Sequence, residues 1–243
     1  MKFLVPAVKP IVAVASLCLL FAGTAVPATA VEPQPTQYYY PAEAETIDRA
    51  FLEQFGVAAA DIDRLVEVNK TGGTWDALSG AVPVVTEPAG NVNGIPSTLE
   101  RYADGSISIS GKEEPAVVPP GSFSTLHVGG CTSGAVSGGK KYYDCEVYTW
   151  VGTWSLSFTA DYTIKTSGND SINRVDDEAV SMTGWSVDKE KLVITRATEN
   201  SVAKATARYS VTRSQNIAGY PIRVESKWIQ LNVGANKATE THS

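Results

Sequence analysis

Between residues 154 and 165 apolar and polar side chains alternate without an error. Trp154, Leu156, Phe158, Ala160, Tyr162 and Ile164 fall on one side, with Ser155, Ser157, Thr159, Asp161, Thr163 and Lys165 on the other. A period of two over this length predicts a half-buried β-strand. Just upstream, residues 146–151 read as a second strand rich in β-branched and aromatic side chains, and only Gly152-Thr153 separates the two, the length of a tight hairpin turn. Val147 and Val151 share the side of Cys145, while Tyr148 and Trp150 point the other way. Nearer the N-terminus the period is helical. Ile47, Phe51, Leu52 and Phe55 make the apolar face of a short helix that starts at Thr46 and stops at Gly56. Asp61, Ile62, Leu65, Val66 and Asn69 make a second, ended by Gly72-Gly73, and Trp75 and Leu78 anchor one more turn beneath the pair.

From Val82 the chain turns strand-like but is broken by Pro83, Pro88 and Pro96, which places these segments at sheet edges or in loops. Residues 98–102 and 106–110 flank Ala103-Asp104-Gly105, a hairpin signal. Residues 112–121, KEEPAVVPPG, combine charge, three prolines and a glycine, as expected of a stiff exposed linker. Beyond them helical periodicity vanishes. Strands are expected at 123–128, 179–187, 191–197, 202–212 and 222–233. The glycine-rich span between Cys131 and Cys145 reads as a loop, and Ser167 to Asp170 and Asp176-Asp177-Glu178 read as polar breaks. Within 222–233 the apolar alternation changes step, which asks for a bulge near 226–229 or burial on both faces. The fold class predicted is mainly β: a C-terminal antiparallel β-sandwich or flattened barrel (122–243), preceded by a small α+β helix-helix-hairpin module (46–111) and the linker (112–121).

The first thirty residues have a different character. Lys2 and Lys9 precede an apolar run, 11–21, too short to span a bilayer, and Ala28-Thr29-Ala30 is a small-residue cleavage site, the pattern of a secretory signal peptide with cleavage after Ala30. Residues 31–45, with Pro33, Pro35 and Pro41, read as a disordered tether. Removal of the leader takes two lysines and no acid, so the formal charge moves from −6 to −8. Such an acidic chain without a basic cluster argues against nucleic acid as partner, and no transmembrane anchor is expected after cleavage. Cleavage also removes Cys18. Cys131 and Cys145 then remain, and in an exported chain two cysteines imply one disulfide.

Three stretches together carry a resemblance: Trp75-Asp76-Ala77-Leu78-Ser79-Gly80, Glu100 to Ile107, and two cysteines around a Ser-Gly followed by Trp150-Val151-Gly152-Thr153. The chain resembles a family of secreted actinobacterial proteins with no assigned activity. The resemblance implies secretion and a C-terminal β domain, and supplies no catalytic residue to carry over.

A hydrolase needs a nucleophile beside a base, or two carboxylates facing a cleft. His127 and His242 are the only imidazoles. His127 reads as a strand residue and His242 as part of a frayed end. Asp161 falls on the solvated side of its strand, and Asp176-Asp177-Glu178 lack the alternate spacing of a calcium loop. No catalytic residue, metal site or cofactor is therefore expected. The candidate binding residues are the aromatics of the hairpin, Tyr142, Tyr143, Tyr148 and Trp150: Tyr148 and Trp150 are exposed if the aliphatic side of their strand faces the core, with Tyr142 and Tyr143 nearby, and are covered if the second sheet takes one face and the helical module the other. Three function classes follow: a secreted non-catalytic surface or interaction protein with an unknown extracellular partner, a carbohydrate- or cell-wall-binding module, and a secreted enzyme or toxin without a recognisable motif. The second demands a flat exposed aromatic platform, the third a cleft gathering His127 or a carboxylate pair.

Overall fold

The chain builds two antiparallel sheets from eleven strands, with three short helices ahead of them, in a computed structural model that describes residues 39–115, 130–217 and 220–243. The helices are α1 (Ala42–Gln54), α2 (Ala59–Lys70) and α3 (Asp76–Ser79). The strands are β1 (Val85–Val92), β2 (Ile95–Arg101), β3 (Ile107–Lys112), β4 (Thr132–Val136), β5 (Gly139–Val151), β6 (Trp154–Lys165), β7 (Ser171–Met182), β8 (Ser186–Arg196), β9 (Ala205–Ile217), β10 (Tyr220–Gly234) and β11 (Lys237–His242). One sheet runs β1-β2-β3-β5-β6-β7, with β4 pairing the first half of β5; the other runs β11-β10-β9-β8. The sheets face each other as a sandwich and are not closed into a barrel.

The expected alternation of β6 places Trp154, Leu156, Phe158, Ala160 and Tyr162 in the core. Their neighbours across the β5–β6 hairpin, Cys145, Val147 and Val151, are buried on the same face, and the facing sheet supplies Ala205, Ala207, Tyr209, Val211, Ile229, Leu231 and Val233. Strand β3 joins β5 directly, with Ile109 opposite Trp150. Residues 46–111 and the later strands therefore share one sheet and one core, because the hairpin at Asp104-Gly105 has strands that need a neighbour to bury their apolar rows. The expected helix-helix-hairpin segment precedes the sandwich and docks into it through β3. The linker is shorter at its start than expected: Lys112 belongs to β3, and the Glu113 N–H donates to the Glu146 carbonyl. Residues 116–121, the strand expected at 123–128 with His127, and the leader lie outside the described residues.

Several boundaries move for identifiable reasons. Helix α1 begins at Ala42, inside the expected tether, with Pro41 as its extended N-cap; Thr46 sits within the helix and bonds the Ala42 carbonyl. The glycine-rich span inside the cysteine pair is mostly a strand pair, β4 turning through Ser137-Gly138 into β5. Asp176, Asp177 and Glu178 do not interrupt the chain: they lie within β7 at a bulge, where Asp177 has φ 51°. The break comes later, ahead of β8, so the strand expected at 179–187 is divided between β7 and β8. His242 is no frayed end. It belongs to β11, and its side chain is buried with Nε2 3.3 Å from Glu100 Oε2.

No bulge forms at 226–229. The β9–β10 register is continuous from Arg223 to Val233, so the step change is met by pointing charge inward: Glu225 and Lys227 follow Ile229 and Leu231 along the inner face, while Val224 and Trp228 face outward. Arg213 on β9 reaches Glu225 at 2.8 Å, and Arg223 reaches it at 2.5 Å. The cations also hold the helical layer. Arg223 donates to the carbonyls of Gly72 and Gly73, and Lys227 to that of Leu78. Burial alone would raise the Glu225 carboxyl, but the hydrogen bond and charge of Arg213, with Lys227 and Arg223, bring it down to about 2.

A depressed folded pKa contributes stability that is present above the ordinary carboxylate value and lost as the pH falls from about 4.5 to about 2. For Glu225 that loss is about 3 kcal/mol. Glu225→Gln is expected to be less stable at pH 7, since it strands buried cations, and to have a flatter acid limb over this range. Urea midpoints of both proteins from pH 7 to pH 2 measure it; parallel limbs would show that the cluster contributes nothing to acid unfolding.

Candidate functional site

The outward row of β5 is Glu146, Tyr148 and Trp150, paired with Thr159, Ser157 and Ser155 of β6. Of the two arrangements open to this row, exposed or covered, the fold takes the covered one. The Tyr148 ring lies across β3, where Gly111 leaves it room: a Cβ at that glycine would come within 2.7 Å of the ring. Its hydroxyl sits 2.6 Å from Ser97 Oγ, which donates in turn to the Ile95 carbonyl, and the residue is 8 % exposed. Burial raises the Tyr148 phenol. Trp150 packs against Phe51 of α1 and against Phe55, the helix's C-cap, with centroids 4.7 and 5.8 Å away, and its indole N–H donates to the Gly152 carbonyl. Helix α1 and the β1–β2 hairpin thus cover most of what the alternation alone would leave to solvent.

What remains open is a groove of about 260 Å³ bordered by Asn93, Ile95, Glu146, Tyr148, Trp150, Ser155 and Ser157. A second hollow of about 260 Å³ shares Asn93, Ile95 and Glu146 and extends past Glu113, Asp144 and Thr159. The groove offers ring edges on one side and hydroxyl, amide and carboxylate groups on the other. All of them stand on strands or on the tight turn at Asn93-Gly94 that joins β1 to β2.

Tyr142 and Tyr143 do not join this row. A bulge at Tyr143-Asp144 puts one extra residue into β5, so Tyr142 shares the face of Cys145 and stacks on Tyr162 at 4.7 Å. Tyr143 stays half-buried under the Lys141 ammonium, 4.6 Å from its ring centre. The same bulge changes Asp161, which is 8 % exposed rather than solvated: it accepts from the Asp144 N–H and from Arg174. Arg174 also takes Asp144 and Asp176. Cys131 and Cys145 are both buried, with Cα atoms 4.1 Å apart and their sulfurs bonded.

A different constellation escaped sequence reading. Asp48 lies on the buried side of α1 and accepts from Tyr40 Oη at 2.6 Å, Asn69 Nδ2 at 2.9 Å and the Thr153 N–H at 2.9 Å. Burial raises its carboxyl, against the three donors. Next to it a cleft of about 30 Å³, room for a water or two, is walled by Tyr40, Asn69, Trp185, Arg213, Gln215 and Arg223. The signal was present: an acid among Ala44, Phe51 and Leu52 on an apolar helix face demands partners. With its oxygens so occupied and no substrate-sized space beside it, Asp48 joins α1, α2 and the β5–β6 turn.

No protein-family model matches this chain, and no curated protein or solved structure is significantly similar to it. The geometry of its own residues is what bears on function.

Trp150→Ala is expected to cost about 3 kcal/mol, because it empties the contact with Phe51 and Phe55. Tyr143→Ala should stay within about 0.5 kcal/mol. Denaturant titration of the two variants separates them, and a neutral Trp150→Ala would mean the ring contributes contact surface and not packing.

Proposed function

We propose that the protein is exported and acts outside the cell as a non-catalytic interaction protein, contacting an extracellular partner through the groove beside Tyr148 and Trp150. The observation that carries this reading is the preformed state of that groove. Its aromatic walls are already immobilised by Ser97, Phe51 and Phe55, so a ligand would meet side chains whose rotamers cost little further entropy to hold. Export is supported by the lysine-flanked apolar leader and by the bonded cysteine pair, which oxidising compartments favour. Among the described residues no helix is long and apolar enough to cross a membrane. The likeness to secreted actinobacterial proteins is in keeping with this reading.

Mass spectrometry of the exported protein should give a chain beginning at Val31 and containing no free thiol. A retained Cys18, or two reactive thiols per native chain, would overturn the export reading.

For the groove, Ser157→Arg places a long cation into the open space from a half-exposed strand position, leaving the core untouched. Retention of the secreted protein by the surface fraction of the producing cells is expected to fall at least about tenfold at an unchanged thermal midpoint. A variant retained as well as its parent would remove the groove from consideration.

A further inference from the structure

The outer face of the four-stranded sheet is a second surface, and no described element packs on it. Its rows follow from the register. Lys189 stands beside Thr212 and Ser226; Lys191 beside Ser210 and Trp228; Arg208 beside Gln230 and Thr241. Arg196 stands beside Thr206 at the far end. These rows hold four cations and no carboxylate, on a chain whose formal charge is −6; Asp188, at the bulge in β8, accepts from Ser214. The cations do not stand out as a cluster in the sequence because they are spread over β8 and β9 and meet only through the register.

The face is also ordered before any ligand arrives. The Arg208 guanidinium lies 4.2 Å from the centre of the Trp228 ring and donates through Nε to Gln230. Gln230 donates to Asn232, and Asn232 to Thr241, a chain of side-chain hydrogen bonds crossing three strands. With Nε engaged by Gln230, the terminal nitrogens of Arg208 keep the paired geometry that a carboxylate matches.

We infer that this face binds a carboxylated polysaccharide, a uronic-acid polymer lying across the strands. Three features select that occupant. The cations answer a polyanion and oppose the rest of the molecule. The hydroxyl and amide rows exchange hydrogen bonds with sugar hydroxyls, at the regular spacing of a sheet, which suits a repeating chain over a compact small molecule. Half-buried Trp228 adds apolar ring surface among the polar rows, which a pyranose can pack against and an open-chain phosphate polymer cannot use. This surface lies on the other sheet from the groove and stands independently of it.

The test uses the full secreted chain and polygalacturonate as the probe. Binding is expected at low salt and should weaken as salt rises, with at least about tenfold loss in Lys191→Glu and in Trp228→Ala. Lys191 is exposed and strand-borne, so its variant should keep the parent's thermal midpoint even if Trp228→Ala does not. Methyl-esterified polygalacturonate should bind at least about tenfold more weakly than the free acid, and Ser157→Arg should bind like the parent. The inference is overturned if the parent does not bind polygalacturonate at low salt, if Lys191→Glu binds it equally well, if the methyl ester binds equally well, or if polyphosphate or single-stranded DNA is preferred.

Discussion

The buried carboxylate of Asp48 is the contact on which the layering depends. It is a charge-bearing group in the apolar face of α1, and its burial is tolerable only because Tyr40, Asn69 and the Thr153 N–H all aim at it. Those donors come from the chain ahead of α1, from the end of α2 and from the turn between the two central strands. Satisfying one side chain therefore fixes where the helices sit on the large sheet. Gly152 completes the arrangement: with φ 53° and Asp48 Oδ1 only 2.1 Å from where a Cβ would stand, a side chain there would evict the carboxylate. Across the adjoining cleft Glu225 plays a matching part, gathering Arg213, Arg223 and Lys227, of which Arg223 and Lys227 also reach the backbone after α2. The helical layer is held to both sheets by polar groups buried at its margins as well as by its apolar face.

This division explains which parts of the molecule could be read from residue order. Local periodicity sufficed for β6, for the β5–β6 hairpin, for both principal helices and for the Asp104-Gly105 turn, because each follows from side-chain spacing alone. It failed where a distant partner decides. Tyr148 and Trp150 look outward along their own strand, yet α1 and the β1–β2 hairpin cover them. His242 looks like a loose end, yet it pairs with Glu100, whose carboxyl the imidazole contact and neighbouring hydroxyls hold down at about 2. Glu225 and Lys227 stand where the alternation changes step, and they face inward because Glu225 meets Lys227 and two arginines and Lys227 also reaches the Leu78 carbonyl. Of the groove, the aromatic members were legible by type; Asn93, Ile95 and the serines of β6 become neighbours only through the register.

The two surfaces also differ in kind. The groove is recessed and bordered by aromatic rings already engaged in packing, so it suits a small protruding feature of a partner. The outer face of the smaller sheet is flat, cationic and laced by side-chain hydrogen bonds, so it suits something long. They lie on different sheets of one sandwich, and their rigidity has a common origin in the core that β5, β6, β9 and β10 share.

The extra residue at Tyr143-Asp144 has a consequence for how this gene can vary. A bulge is a count, not a composition: substitutions there leave β5 in register, whereas a one-residue deletion would invert the facing of everything on one side of it. Tyr142 would leave its stack with Tyr162 for the solvent side, Lys141 would turn towards the core, and β4, paired to that half of the strand, would be carried with them. Length is therefore constrained more tightly than identity at this point of the chain, and variants that change the residues of the bulge should be tolerated better than variants that change their number.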